Sequence, residues 1–241
     1  MKITELQKDL SAAFRWTARL NMNEGIANHF SVCTPNSNNF YVNGSGMHFS
    51  TIKASDLILV EQNKIEELKK KPDLVDPTAI NIHGAIHKKV PHARCILHIH
   101  SKYATALSAL KDPTLPPIDQ NSMRFYNRVS VYNDFGGLGF EEESDKMAAC
   151  IGNHRTMLLA NHGILTTGQT VAQAFDELFY FEKACETYIT ALSTGKELKI
   201  ATPEVAEKTA QDWENYSTDM AGLHLKAIRS IMDSEDPSYK N

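Results

Sequence analysis

The stretch Cys95-Ile96-Leu97-His98-Ile99-His100-Ser101 decides the fold of this chain. Its length and apolar content read as a strand, and successive strand side chains point to opposite faces, so His98 and His100 share one face while Leu97 and Ile99 take the other. One face belongs against a core, and the other carries two imidazoles about 6 to 7 Å apart by the rise per residue. Such a pair converges on a cation when a third ligand arrives from elsewhere. Asn161-His162-Gly163 offers one, directly after the apolar run Met157-Leu158-Leu159-Ala160. The glycine permits a sharp turn of the kind that presents a functional side chain at a strand end. The residues alone leave two readings open: a three-histidine metal site, or ordinary histidines on a half-exposed strand. The third histidine favours the first.

The rest of the composition narrows the class. A chain of 241 residues with 42% hydrophobic content fills one core without a covalent staple. A net charge of -4 provides no basic face for a phosphate backbone or an anionic membrane surface, so neither nucleic acid nor membrane is an expected partner. The amphipathic N-terminus and the absence of any run of about 18 apolar residues lead us to expect a cytoplasmic location. Cys33, Cys95, Cys150 and Cys185 are scattered with no CxxC pair, which fits reduced thiols.

Periodicity supplies the elements. Thr4 and Gln7 form a capping box before a helix to about Leu20. Short strands at Asn28 to Val32, Phe40 to Val42 and Leu57 to Val60 are separated by turn-forming residues. Lys69-Lys70-Lys71-Pro72 reads as a solvated turn. Asp76 before Pro77 caps a helix ending before Pro91; its His83 and His87, one turn apart but lacking the glutamate of HExxH, read as surface or packing histidines. Ser101 is expected to cap a helix carrying Tyr103 and Leu107, followed by a short helix over Gln120 to Arg128 and a strand over Val129 to Tyr132. Gly136-Gly137-Leu138-Gly139 matches no phosphate loop and precedes Glu141-Glu142-Glu143, so it reads as a turn before a helix with an acidic first turn. Strands follow at Thr156 to Ala160 and Ile164 to Thr167, then a long helix from Thr170. One last helix carries Trp213, Leu223, Leu225 and Ile228, and a polar tail from Asp233 is expected to fray. These elements give a single-domain α/β fold, a mixed, largely antiparallel sheet flanked by helices. Residues 1–200 form the domain, and 201–241 a C-terminal helix and polar tail.

The order of these pieces resembles the class II aldolase/adducin family from about Thr4 to Leu192. The match lies in Asn28-His29-Phe30-Ser31, Gly44-Ser45-Gly46, the helix Asp76 to Lys89, Leu97-His98-Ile99-His100-Ser101, and Leu159-Ala160-Asn161-His162-Gly163. The resemblance implies a three-layer fold, a homo-oligomer with the cyclic tetramer favoured, and zinc held by His98, His100 and His162. It also implies a small-molecule substrate whose phosphate, where there is one, is bound by Asn28, Ser45, Gly46 and Thr78. The implied activity is a lyase reaction, retro-aldol or decarboxylation, on a small hydroxy-carbonyl compound or sugar phosphate. Imidazole ligands suit zinc better than magnesium, with manganese, iron and cobalt as alternatives. Three such ligands leave an open position for a substrate carbonyl.

One departure matters. The position of the family's catalytic glutamate, counted back from His83, is Ala79, which neither moves a proton nor binds a metal. The adducin-like branch similarly lacks an acid there, and Arg124-Phe125-Tyr126-Asn127-Arg128 and Asp236-Pro237-Ser238-Tyr239 look like its bacterial members. Proton transfer then falls to Tyr126, His29 or Asp76, in that order. The alternatives to a lyase are a non-catalytic, adducin-like scaffold and a metal-buffering or ligand-sensing protein.

Overall fold

The computed structural model describes residues 3–134, 136–137 and 142–241. Its elements run α1 (Glu5–Arg19), β1 (His29–Cys33), β2 (Phe40–Val42), β3 (Ile58–Val60), α2 (Ile65–Leu68), α3 (Pro77–Lys89), β4 (Cys95–Ile99) and α4 (Lys102–Ser108). Then come α5 (Gln120–Arg124), β5 (Val129–Tyr132), α6 (Glu142–Ile151), β6 (Thr156–Leu159), β7 (Gly163–Gly168), α7 (Val171–Leu192), α8 (Pro203–Glu214) and α9 (Met220–Glu235). The strands form a seven-stranded sheet in the order β3-β2-β1-β4-β7-β6-β5. Every neighbouring pair is antiparallel except β5 and β6. The mixed, largely antiparallel sheet expected from the sequence is therefore the one observed.

Alternation along the strands divides the molecule into three layers. Phe30, Val32, Leu97, Ile99 and Ile164 pack with Leu10 and Phe14 of α1 and Phe175, Leu178 and Phe181 of α7. On the other side, Ile96, Met157 and Leu165 meet Ile82 and Ile86 of α3 and Met147 and Ile151 of α6. Further along this face Phe40, Val42 and Val60 pack on Val75, Ala79 and Ile80. Strand β4 thus buries Leu97 and Ile99 in one layer while turning His98 and His100 toward α3.

Helix ends follow local chemistry, with one informative exception. Thr4 and Gln7 satisfy each other's backbone N–H at the start of α1. At α3, Asp76 Oδ1 accepts from Thr78 N at 2.8 Å and Pro77 occupies the first turn. Ser101 stands at the N-cap of α4 but makes no capping bond. Its hydroxyl instead donates to Glu182 Oε2 at 2.6 Å, and Glu182 of α7 accepts from Tyr103 N and Ala104 N, each at 2.9 Å. A carboxylate at the positive end of the helix is a stronger acceptor than a hydroxyl, and the three donors compensate its burial.

The C-terminal region departs from expectation in two respects. Trp213 lies on α8 while Leu223, Leu225 and Ile228 lie on α9, because the chain breaks after Glu214 and restarts where Asp219 Oδ1 accepts from Gly222 N at 2.9 Å. The polar tail does not fray: it forms a 3-10 turn over Pro237–Lys240 with Tyr239 fully buried. Ser11 Oγ donates to the Tyr239 carbonyl at 2.9 Å, and Ser55 N to that of Asn241 at 2.8 Å. In the loop before α6, Gly136 N donates to Glu143 Oε1 at 3.0 Å; Leu138, Gly139 and Glu141 lie outside the described residues. Among the described residues no helix is long and apolar enough to cross a membrane.

His87 links the fold to pH. Its Nδ1 donates to the Ala93 carbonyl at 2.6 Å and its Nε2 accepts from Ser31 Oγ at 2.7 Å. Burial holds its pKa down to about 3, the Ala93 hydrogen bond opposes that, and the nearby Arg94 charge adds to it. His83, one turn away, is likewise held neutral by burial. An unfolded histidine takes up its proton near pH 6.5, so this contribution to stability is complete above about pH 6.5 and shrinks as pH falls toward the folded value. Urea denaturation should therefore show unfolding free energy declining from pH 6.5 to 4, at up to about 1.4 kcal/mol per pH unit for each such histidine. His87→Gln, which retains a donor for the Ala93 carbonyl, should make the decline shallower; an unchanged slope contradicts the assignment.

Candidate active site

Three imidazoles meet beside the C-terminal end of β4. His98 Nδ1 donates to the Ile164 carbonyl of β7 at 2.9 Å, and His100 Nδ1 donates to Glu24 Oε2 at 2.6 Å. In the neutral form of each ring Nε2 is then a bare lone pair, and these two atoms stand 3.1 Å apart. A ligating nitrogen from each of His98, His100 and His162 lies within 4.8 Å of the other two. Burial, with the neighbouring imidazoles adding to it, holds His98 well below the ordinary histidine range. Burial also brings His162 down to about 4, helped by His100. His98 and His162 are consequently neutral at physiological pH. Convergent neutral imidazoles, two of them oriented through Nδ1 by fixed acceptors, are the donor set that a transition-metal ion requires.

Backbone geometry brings the third ring in. Asn161 takes a left-handed conformation with φ 56°, which asparagine tolerates, and the chain enters β7 at Gly163. A Cβ at Gly163 would lie 2.6 Å from the Ile99 carbonyl oxygen and 3.1 Å from His100 Cδ2. Only glycine lets the start of β7 come this close to the end of β4, carrying His162 to the pair.

The triad forms one wall of a cavity of about 350 Å3 that is also lined by Ala27, His29, Asp76, Pro77, Thr78 and Ile82. His29 is the cross-strand neighbour of His98, with ring centroids 4.9 Å apart. Asp76 Oδ1 holds both the amide and the hydroxyl of Thr78 at 2.8 Å, fixing the first turn of α3 at the cavity.

Of the other residues singled out in the sequence, His29 and Thr78 line this cavity. Asn28 lies behind it: its Oδ1 accepts from Glu24 N at 2.6 Å, while its Nδ2 is buried without a hydrogen-bond partner among the described residues. Ser45 and Gly46 do not line the cavity; Ser45 Oγ donates to the Pro72 carbonyl at 2.6 Å and ties that turn to the segment before α3. Tyr126 is also absent from the wall and sits in the turn after α5, where its carbonyl accepts from Arg128 Nη1 at 2.6 Å. Ala79 is buried in the cluster formed with Val75 and Ile80. Glu24, which orients His100, escaped the sequence reading because it lies in an irregular connection with no periodicity to mark it.

A mixed sheet that presents three convergent imidazoles at the end of its central strand defines a protein built around a candidate metal centre. The chain belongs to the Class II Aldolase and Adducin N-terminal domain family, whose family model matches residues 8–189. An aldolase II superfamily protein from Pseudomonas syringae superposes with a TM-score of 0.90 at 29% identity, over 98% of this chain and 95% of the other. L-fuculose 1-phosphate aldolase from Glaciozyma antarctica PI12 superposes with a TM-score of 0.83 at 27% identity, over 98% and 92% of the two chains. The decarboxylase NovR from Streptomyces niveus is 30% identical over 228 residues, covering 90% of this chain and 82% of its own.

The close approach at Gly163 makes a direct test of how the triad is assembled. Gly163→Ala should cost about 1–3 kcal/mol of stability in denaturant, as overpacking at a rigid contact does. It should also weaken zinc uptake, because His100 must shift. Wild-type stability and zinc affinity in this variant would contradict the role given to the glycine.

Proposed function

We propose that the protein is a metal-dependent carbon–carbon lyase, performing a retro-aldol or decarboxylation reaction on a small hydroxy-carbonyl compound or sugar phosphate. The observation that carries this reading is the 3.1 Å approach of the His98 and His100 Nε2 atoms with Nδ1 of each ring already committed. Lone pairs so close are compatible when a cation lies between them, and His162 completes a three-nitrogen set that leaves a coordination position open. Zinc is the preferred ion on ligand grounds. Such an ion, when bound, supplies Lewis-acid polarisation of a carbonyl and so stabilises the charge left when the adjacent carbon–carbon bond breaks.

The chain's own residues provide the rest. His98, His100 and His162 hold the ion. Thr78, on the cavity wall at the first turn of α3, meets an anionic group of the substrate, such as a phosphate, once its hydroxyl turns from Asp76. His29 Nε2 takes the proton of the substrate hydroxyl in the retro-aldol direction. The O–H electron pair forms the new carbonyl, the carbon–carbon pair moves toward the polarised carbonyl, and a proton returns to the carbon left behind. No proton role falls to Ala79. With Tyr126 off the cavity wall in this chain, His29 takes precedence over it. The aldolase and decarboxylase relatives support both cleavage modes.

The test is a screen of zinc-loaded protein against β-hydroxy ketones, their phosphates and β-keto acids, following carbonyl product or carbon dioxide release. Turnover should fall at least about 100-fold in His162→Ala, in line with loss of a Lewis acid. Full turnover in that variant, or none on any of these classes in the loaded parent, would overturn the proposal.

A further inference from the structure

Behind the triad runs a second set of histidines that the metal site does not use. His29 Nδ1 lies 2.7 Å from His83 Nε2, and His83 Nδ1 meets Ser31 Oγ. Ser31 Oγ lies 2.7 Å from His87 Nε2, and His87 Nδ1 lies 2.6 Å from the Ala93 carbonyl oxygen. All four side chains are at most 4% exposed. The set spans two elements. His29 and Ser31 are two apart on β1 and therefore share its α3 face, while His83 and His87 are four apart on α3 and face β1.

The direction of every bond in this chain is forced from one end. A carbonyl only accepts, so His87 Nδ1 carries hydrogen and the neutral ring's Nε2 is a lone pair. Ser31 must then donate its single hydrogen to His87 Nε2, and it is left to accept from His83. His83 Nδ1 therefore carries hydrogen and its Nε2 is bare, so that nitrogen accepts from His29 Nδ1–H. The remaining nitrogen of His29, Nε2, is left without hydrogen in a residue that lines the cavity.

We propose that this one-way chain from the Ala93 carbonyl through His87, Ser31 and His83 locks His29 as its Nδ1–H tautomer, making its Nε2 an obligate acceptor for a substrate hydroxyl. His83, Ser31 and His87 are thus positioning residues, and His29 is the group that touches substrate. The inference deepens the lyase reading and rests on it for the identity of the hydroxyl donor. It also assigns specificity within the cavity. With Asp76 the other polar acceptor on the same wall, this side takes the hydroxyl-bearing part of the substrate, while the triad side takes the carbonyl.

The tautomers are measurable directly. In two-bond proton–nitrogen correlation spectra of the 15N-histidine-labelled full chain, without metal or substrate, His29, His83 and His87 should each show a protonated Nδ1 and a bare Nε2. Ser31→Ala should leave His87 unchanged, because its bond to Ala93 persists, and should release His83 and His29 into tautomer mixtures. Ser31→Thr, which restores the hydroxyl, should return the single-tautomer pattern. A hydrogen on His29 Nε2 in the wild-type spectrum overturns the proposal whatever the variants do. An unchanged His29 in a folded Ser31→Ala chain overturns it too. Because the spectra need neither ion nor turnover, a failed tautomer test removes His29 as the proton acceptor but leaves the metal-dependent lyase reading standing, and a failed activity screen leaves the tautomer chain standing.

Discussion

The central constraint in this molecule is that a neutral imidazole has one hydrogen to give. His98 gives it to the Ile164 carbonyl and His100 to Glu24, so two lone pairs are pointed at each other across 3.1 Å. Burial keeps a proton off His98, whose pKa is held well below the ordinary range. Such an arrangement suits a cation held between the two nitrogens. The sheet serves this arrangement: β4 carries two of the rings, β7 supplies the backbone acceptor that orients one of them, and the turn between β6 and β7 brings in His162.

The same rule, applied one layer deeper, orders the face of α3. Along β1 two of the three positions turned toward α3 are polar, His29 and Ser31, while Cys33 joins the apolar cluster, and the partners of the polar pair on α3 are His83 and His87. Burying four polar side chains this way costs stability unless each bond is made, and the bonds given above are made. The apolar work is done elsewhere on the same faces, by Ile82 and Ile86 against Ile96 and by Phe40 and Val42 against Val75 and Ile80.

Much of this was legible in the sequence, for reasons that can be named. The alternation over Cys95 to Ser101 fixes which residues share a face of β4, and Thr4 with Gln7 and Asp76 with Pro77 mark helix starts that depend only on neighbouring residues. What escaped was long-range. Ser101 has the chemistry of a cap, yet Glu182, 81 residues away, takes the helix terminus. Tyr239 lies in a polar tail whose composition suggests fraying, yet its ring is fully buried. His83 and His87 read as surface or packing residues; both are buried, and the missing signal was their match to His29 and Ser31, a strand-spaced polar pair facing a helix-spaced one. Of the substrate-binding residues implied by the family resemblance, Thr78 reaches the cavity wall whereas Asn28, Ser45 and Gly46 do not, and of the proton-carrier candidates His29 and Asp76 reach it whereas Tyr126 does not.

The claim on which the account turns is that His98, His100 and His162 hold one divalent transition metal, and cobalt(II) tests it most directly because its visible spectrum reports both binding and geometry. Titrating the metal-free full chain should give one equivalent of bound cobalt with the intense bands of a low-coordinate nitrogen site, and His100→Ala should abolish them. No uptake by the parent, or the same spectrum and stoichiometry in His100→Ala, would contradict the account.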